Sequence, residues 1–175
     1  MSRVVELHSA ACTVRSYRAT DATSLARHGD NRAVWLNLRD VFPHPYRIED
    51  GVAYIARVSK ARVPASFAID VGGEAVGGVA LHPGKDIERF SAELGYWLGE
   101  PYWGHGVASA AVQLVTGYGF ERLELQRIFA LPFTRNPASV RVLEKAGYTR
   151  EGHLHRSSFK AGTWEDQYVY ARLGG

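Results

Sequence analysis

The stretch from Glu93 to Ala111, ELGYWLGEPYWGHGVASAA, constrains this chain more than any other, because a strand pattern runs through a glycine loop straight into a helix pattern. Ala92, Leu94, Tyr96 and Leu98 alternate with period two, while Val107, Ala110, Ala111, Leu114, Val115 and Tyr118 recur at helical spacing. Between them lie Tyr102, Trp103, Gly104, His105 and Gly106. Without Cβ atoms at 104 and 106, backbone amides can approach a ligand closely, and the helix that follows offers unpaired amides at its positive dipole end. The pattern predicts an anion at that mouth. It is neither a P-loop nor a dinucleotide fingerprint: no lysine lies nearby, and the third glycine of G-x-G-x-x-G would fall at Ser109. An isolated G-x-G reads more simply as a tight turn with no ligand, so the surrounding sequence has to decide.

The 175 residues suit one domain spanning the whole chain, and 46% hydrophobic with 22% charged residues is the balance of a globular protein. A formal charge of +3 with no cluster of five like charges argues against direct nucleic-acid binding. MSRVVELHSAACTV holds no apolar core of signal-peptide length, and no run nears the ~18 apolar residues of a membrane helix. The expectation is a cytoplasmic protein without a membrane partner. Cys12, the single cysteine, reads as a small buried hydrophobe of the first strand.

Along the chain, Cys12 to Tyr17 reads as a strand and Asp21 as the N-cap of a short helix to His28. Val34, Leu36, Leu38 and Val41 predict a further short helix, closed by Pro43-His44-Pro45, and Ile48 to Ser59 predicts a third. Ala65 to Val71 and Ala75 to His82 flank Gly72-Gly73 as an antiparallel hairpin. After the long helix, which ends near Glu121, RIFAL (Arg127 to Leu131) is a short strand. Asn136 then caps a helix with Pro137 in its first position, Val140 and Leu143 facing inward, Lys145 in its last turn and Gly147 as its stop. Thr149 to Lys160 and Thr163 to Ala171 form a closing hairpin across Ala161-Gly162. The order predicts an α/β sandwich with a mixed sheet, mostly antiparallel and of about seven strands. Only the strand before the glycine loop and RIFAL are joined by a helical crossover, which makes them parallel neighbours.

With these blocks in place, the chain resembles the GNAT superfamily of acyl-CoA N-acyltransferases, and within it the RimJ/RimL type. The resemblance spans nearly the whole chain and rests on Glu93 to Leu98 (ELGYWL), on Tyr102 to Gly106 opening a helix, on Asn136-Pro137-Ala138-Ser139 before Leu143-Glu144-Lys145-Ala146-Gly147-Tyr148, on Trp164, Asp166 and Tyr170, and on Pro43 to Tyr46 (PHPY). It implies a single GNAT domain whose central parallel strands splay apart, with acetyl-CoA (coenzyme A) as cosubstrate and no metal. The amides of Trp103, Gly104, His105, Gly106, Val107 and Ala108 are then the pyrophosphate seat. The backbone of Trp97 and Leu98 pairs with the pantetheine arm, and Asn136 lies beside the cofactor. One position departs from the widespread loop pattern, Pro101 standing where a Gln or Arg is usual. The resemblance further implies direct transfer in a ternary complex to a primary amine, foremost a protein N-terminal α-amine, with a small amine, polyamine or antibiotic as rivals and a non-catalytic acyl-CoA-binding module as the other class. Many relatives of this type form dimers, so a homodimer stays open.

Amide formation from an alkylammonium of pKa ~10 calls for an ordered carboxylate as base. Glu93 is the first candidate, on the cofactor strand and on the opposite pleat from Leu94 and Leu98; its alternative is a salt-bridged strand glutamate. Asp166, among Trp164, Tyr168 and Tyr170 on one strand face, either orients a cationic substrate or holds an arginine or backbone amide. Many superfamily members place a tyrosine acid where this chain has Leu143, and the RimJ/RimL resemblance points instead to Ser139 as a hydrogen-bond donor to the leaving sulfur. His153 and His155 share a strand face, but no third ligand has metal-site spacing along the sequence, and they read as ordinary strand residues.

Overall fold

The strand and helix patterns become two helical layers around one sheet, as seen in a computed structural model that describes residues 4–175. The strands are β1 (Glu6–His8), β2 (Thr13–Arg15), β3 (Ser66–Val71), β4 (Glu74–Pro83), β5 (Ser91–Leu98), β6 (Arg127–Ala130), β7 (Thr149–Lys160) and β8 (Thr163–Leu173). Their spatial order is β1-β2-β3-β4-β5-β6-β8-β7, and every neighbouring pair is antiparallel except β5 with β6. The described residues form eight strands where the sequence predicts about seven. The addition, β1, is a three-residue edge strand laid against Thr13–Arg15, too short to leave an alternation in the sequence.

Period-two alternation sorts each strand to two cores. Phe67, Ile69 and Val76 turn toward α4 (Val107–Arg122) and α5 (Pro137–Lys145) and join Val112, Val115, Ile128 and Leu143, all essentially inaccessible. Ala68 and Ala75 face the opposite side, under α1 (Ala22–Gly29) and α3 (Ile48–Val58), with Leu25, Tyr46 and Ile55. Burial stabilises each of the larger side chains by about 1.5–3 kcal/mol. Cys12 lies in the first of these cores, and burial pushes its thiol pKa up.

The helix predicted over Val34–Val41 shrinks to the single turn α2 (Arg32–Trp35). Asn31 caps it, its Oδ1 accepting from the Ala33 and Val34 amides. Continuation would need the Leu36 carbonyl for an amide four residues on, and Arg135 Nη2 takes that carbonyl at 2.7 Å. Arg135 also reaches Asn37 Oδ1 and Glu165, and Lys160, 3% exposed and 3.7 Å above the Trp35 ring, holds Asp40 at 2.6 Å. Residues 36–40 are thereby strapped across the sheet end as a roof. Asp21 does precede α1, but its side chain makes no cap bond to that helix. Its carboxylate instead takes Arg15 in a bidentate pair at 2.8 and 2.9 Å, while Arg15 Nε donates to Asp70 at 2.7 Å.

The feature that creates the site is where a ladder stops. β5 and β6 pair in parallel only through Ser91–Arg127, Ala92–Ile128 and Glu93–Phe129. Beyond Glu93, β5 runs on to Leu98 while β6 ends at Ala130, and the strands part. The expected parallel, splayed pair is present.

Candidate active site

Two clefts open into the fork. The first, about 270 Å³, is lined on one side by Trp97, Leu98, Trp103, Gly104, Gly106, Val107, Ala108 and Ser109, and on the other by Asn136, Ser139, Arg141 and Lys145. The second, about 570 Å³, lies under the roof and includes Arg39, Phe42, Tyr46, Tyr54, His82, Glu93, Phe133 and Gln167. Asn37, Leu38, Tyr96, Trp97 and Ser139 border both. The clefts therefore meet beside Tyr96 and Ser139.

The glycine loop has a backbone geometry that an anion can approach. Gly104 and Gly106 both have φ of +78°, a region that costs a side-chain-bearing residue ~1–2 kcal/mol, and Gly106 is the N-cap of α4. A Cβ at either position would meet nothing within 4 Å, so backbone conformation rather than protein crowding selects glycine, and the space above the loop is open. The first amides of α4, from Val107 on, have no intrahelical acceptor. Trp103 fixes the loop to the strand, its indole donating to the Leu98 carbonyl at 2.7 Å. Arg141 and Lys145, four residues apart on α5, add two cations to the facing wall. These residues fit a phosphorylated, extended ligand such as coenzyme A. His105 stands apart from them, exposed and outside both linings.

The strand groups that face the fork differ in part from expectation. Gly99 donates to Val76 across the β4 side. By two-residue alternation the backbone groups of Trp97 also belong to the β4 ladder, where Trp97 pairs with Gly78, so Tyr96 and Leu98 present amides to the fork. Trp97 contributes its position in the lining, with its ring packed on Phe42.

Ser139 and Asn136 sit at the start of α5. Asn136 Oδ1 accepts from the Ser139 amide at 3.2 Å, so it is the N-cap and a cleft residue at once. The Ser139 hydroxyl lies 2.6 Å from the Tyr96 hydroxyl. Burial pushes the Tyr96 pKa well up, a shift only partly offset by the Ser139 hydrogen bond, and the phenol keeps its proton at neutral pH. Nothing in the sequence sets Tyr96 apart as a site residue, because its alternation marks it as a strand residue like its neighbours. Its hydroxyl partner lies 43 residues away across the fork. Arg141 and Lys145 were likewise masked, as ordinary polar positions of a capped helix.

Glu93 is a cleft residue and an ion-pair residue together. Arg39 Nη2 donates to its Oε1 at 2.6 Å, and among the described residues no hydrogen bond engages Oε2. His82 stands opposite Glu93 in the β4–β5 register and lines the same cleft. Partial desolvation lowers the His82 pKa despite the pull of Glu93, which keeps the imidazole neutral at neutral pH.

Asp166 lies in neither lining. Its Oδ1 accepts the Arg156 amide at 2.8 Å, and its Oδ2 is 2.7 Å from His153 Nε2 and 3.0 Å from His155 Nδ1. The Arg156 amide first, and then His153, hold its pKa down to about 2. Of the two roles open to it from sequence, the structure shows a backbone amide held in place. Leu143 is a fully buried core residue.

The sequence model of the family described as the acetyltransferase (GNAT) domain matches residues 12–149. The chain belongs to the GNAT acetyltransferase family. It is 39% identical over 98 residues to the uncharacterized N-acetyltransferase YoaA of Bacillus subtilis (strain 168), covering 56% of this chain and 55% of that one. Over 100 residues it is 30% identical to the ribosomal-protein-serine acetyltransferase of Escherichia coli (strain K12), covering 57% and 55%. Matched segments thus span about half the length of these curated relatives. Among solved structures, a GNAT-family acetyltransferase from Bacillus anthracis superposes with a TM-score of 0.83 at 24% identity, covering 97% of this chain and 98% of that one. Mycobacterium smegmatis RimJ in complex with CoA-disulfide gives 0.82 at 24%, covering 97% and 86%. At these identities the superpositions show that the GNAT chain has the GNAT fold. Among the described residues no helix is long and apolar enough to cross a membrane.

Proposed function

We propose that this GNAT protein transfers an acetyl group from acetyl-CoA to a primary amine in a ternary complex, and that the amine is a protein N-terminal α-amine. The observation that carries the reading is the meeting of the two clefts at Tyr96 and Ser139. An anion-binding groove ends there from one side, and a larger aromatic-lined cleft with a carboxylate ends there from the other. Acetyl-CoA supplies an activated thioester. The loop amides and first α4 amides hold its pyrophosphate, with Arg141 and Lys145 facing it, and the Tyr96 and Leu98 amides align its arm as an added strand would be aligned.

On the acceptor side, Glu93 takes the proton that leaves the amine, directly or through water, onto Oε2, while Arg39 on Oε1 fixes the carboxylate. One proton of the Ser139–Tyr96 hydroxyl pair is spent on the hydrogen bond between them, and the pair donates the other toward the departing sulfur. Tyr96, with its raised pKa, serves as a donor rather than as a source of a free proton. Asn136 aims Ser139 by bonding its amide. The second cleft, about 570 Å³ and only partly roofed, has room for the first residues of a peptide chain. The Escherichia coli relative named a ribosomal-protein-serine acetyltransferase supports a protein as acceptor.

The test is thiol release from acetyl-CoA across N-terminal peptides, lysine peptides, polyamines and aminoglycosides. The reading expects kcat/KM highest for N-terminal peptides. Turnover confined to small amines refutes the acceptor class, and coenzyme binding without turnover on any amine refutes the enzyme.

A further inference from the structure

The structure brings the third ligand that sequence spacing does not show to the histidine pair on β7, and it comes from the partner strand. We propose that His153 Nε2, His155 Nδ1 and Asp166 Oδ2 bind a divalent transition-metal ion of the zinc, nickel or cobalt class, at a site outside the reaction clefts. All three ligand atoms lie within 4.8 Å of one another, with the carboxylate oxygen as the shared corner at 2.7 and 3.0 Å from the two nitrogens. A tetrahedral ion with ligands at ~2.0–2.1 Å spaces its donor atoms by about 3.3 Å, so the two oxygen–nitrogen separations of 2.7 and 3.0 Å open by a few tenths of an ångström, while the two ring nitrogens, within 4.8 Å of one another, settle to the same spacing by ring rotation. Two imidazoles and one carboxylate are a nitrogen-and-oxygen set suited to these ions, and three protein ligands leave a fourth position for water.

Local backbone assembles the set. Between Leu154 and Ser158 the β7–β8 register shifts, so that His155, Arg156 and Ser157 stand against Asp166 alone. Such bulges re-aim side chains, and this one turns His155 to the same carboxylate as His153. The Arg156 amide, by taking Oδ1, orients the carboxylate with Oδ2 toward the rings. His153 packs on Tyr168 at 5.1 Å, which fixes its plane. The ligand side chains are 40%, 76% and 30% exposed, so an ion reaches them from solvent. Binding replaces two imidazole–carboxylate hydrogen bonds by three metal bonds, and each neutral ring then carries its proton on its other nitrogen. The ion staples β7 to β8. It takes no part in acetyl transfer, so this inference is independent of the proposed reaction.

Tag-free, chelator-stripped protein is titrated with zinc chloride by calorimetry, and with cobalt(II) by visible absorption. The expected result is one ion per chain with a micromolar dissociation constant and a tetrahedral cobalt spectrum. Asp166→Asn and His155→Gln each weaken binding at least about tenfold, while His8→Gln, at an exposed histidine beside Glu6, leaves it unchanged. Melting curves without metal verify that each variant is folded, and the highly exposed His155 provides the variant least able to disturb the fold. No saturable zinc binding up to about 1 mM, or wild-type affinity in either ligand variant, overturns the proposal.

Discussion

Replacing Gly106 by alanine separates what the glycine loop does for the fold from what it does for a ligand. Gly106 has φ of +78°, and an added Cβ meets no heavy atom within 4 Å. The folded protein therefore loses only the cost of placing alanine in the left-handed region, ~1–2 kcal/mol. With an unfolding entropy of about 2.1 cal/mol/K per residue, a 175-residue chain loses one kcal/mol for every ~3 °C of Tm, which predicts a fall of ~3–5 °C. Gly72, in the β3–β4 turn, is a matched control, with φ of +64° and equally open surroundings. Gly72→Ala should lower Tm by a similar amount. The two variants part on coenzyme binding: a methyl at 106 stands in the first cleft beside the loop amides, while one at 72 is outside both clefts. Calorimetric titration with coenzyme A should show Gly106→Ala weakened at least about tenfold, the loss of roughly one charge-assisted hydrogen bond, with Gly72→Ala unchanged. Equal affinities in the two variants would refute the anion seat and leave the loop a tight turn.

Glu93→Gln should cut kcat by about 10²-fold or more while coenzyme affinity holds, as removal of a general base requires; an unaltered rate discards Glu93 as base. Tyr96→Phe and Ser139→Ala should each lower kcat about tenfold, and the double variant should fall short of the product because the hydroxyls share one hydrogen bond. Strict multiplicativity in steady-state kinetics would show that they act separately. Arg15→Met leaves Asp21 and Asp70 buried without their cation and should destabilise by about 3–5 kcal/mol in chemical denaturation. Burial raises the Asp21 pKa, but Arg15 and the Arg18 amide outweigh it and bring the folded value below 3.8. The unfolded state thus binds the proton more readily in acid, so this contribution is complete above the unfolded pKa and fades as pH falls through the folded one. Stability measured from pH 5 downward should decline less steeply in Arg15→Met than in the parent chain.

What the sequence made legible was local, and what it hid was distant. The ELGYWL alternation, the glycine loop and the capped NPASVRVLEK helix each carry their signal within a dozen residues, and each stands where its pattern places it. The roof does not: Val34 to Val41 has helical spacing, yet Arg135, about a hundred residues away, takes the Leu36 carbonyl that helix propagation needs. Tyr96 with Ser139, Glu93 with Arg39 and Asp166 with its two histidines are all pairings between elements. Spacing along the chain cannot reveal a partner that a fork or a bulge brings in from another strand.

The three-residue ladder between β5 and β6 has a consequence for how the GNAT chain should respond to its cosubstrate. A sheet interrupted at its middle carries an unfilled place for one more strand, and an extended molecule lying there becomes temporary secondary structure. The amides of Tyr96 and Leu98 should therefore exchange hydrogen rapidly in the empty protein and slowly once coenzyme is added. Bound coenzyme would then fill the fork beyond the three-pair tie between β5 and β6, leaving a stiffer sheet than the free protein has.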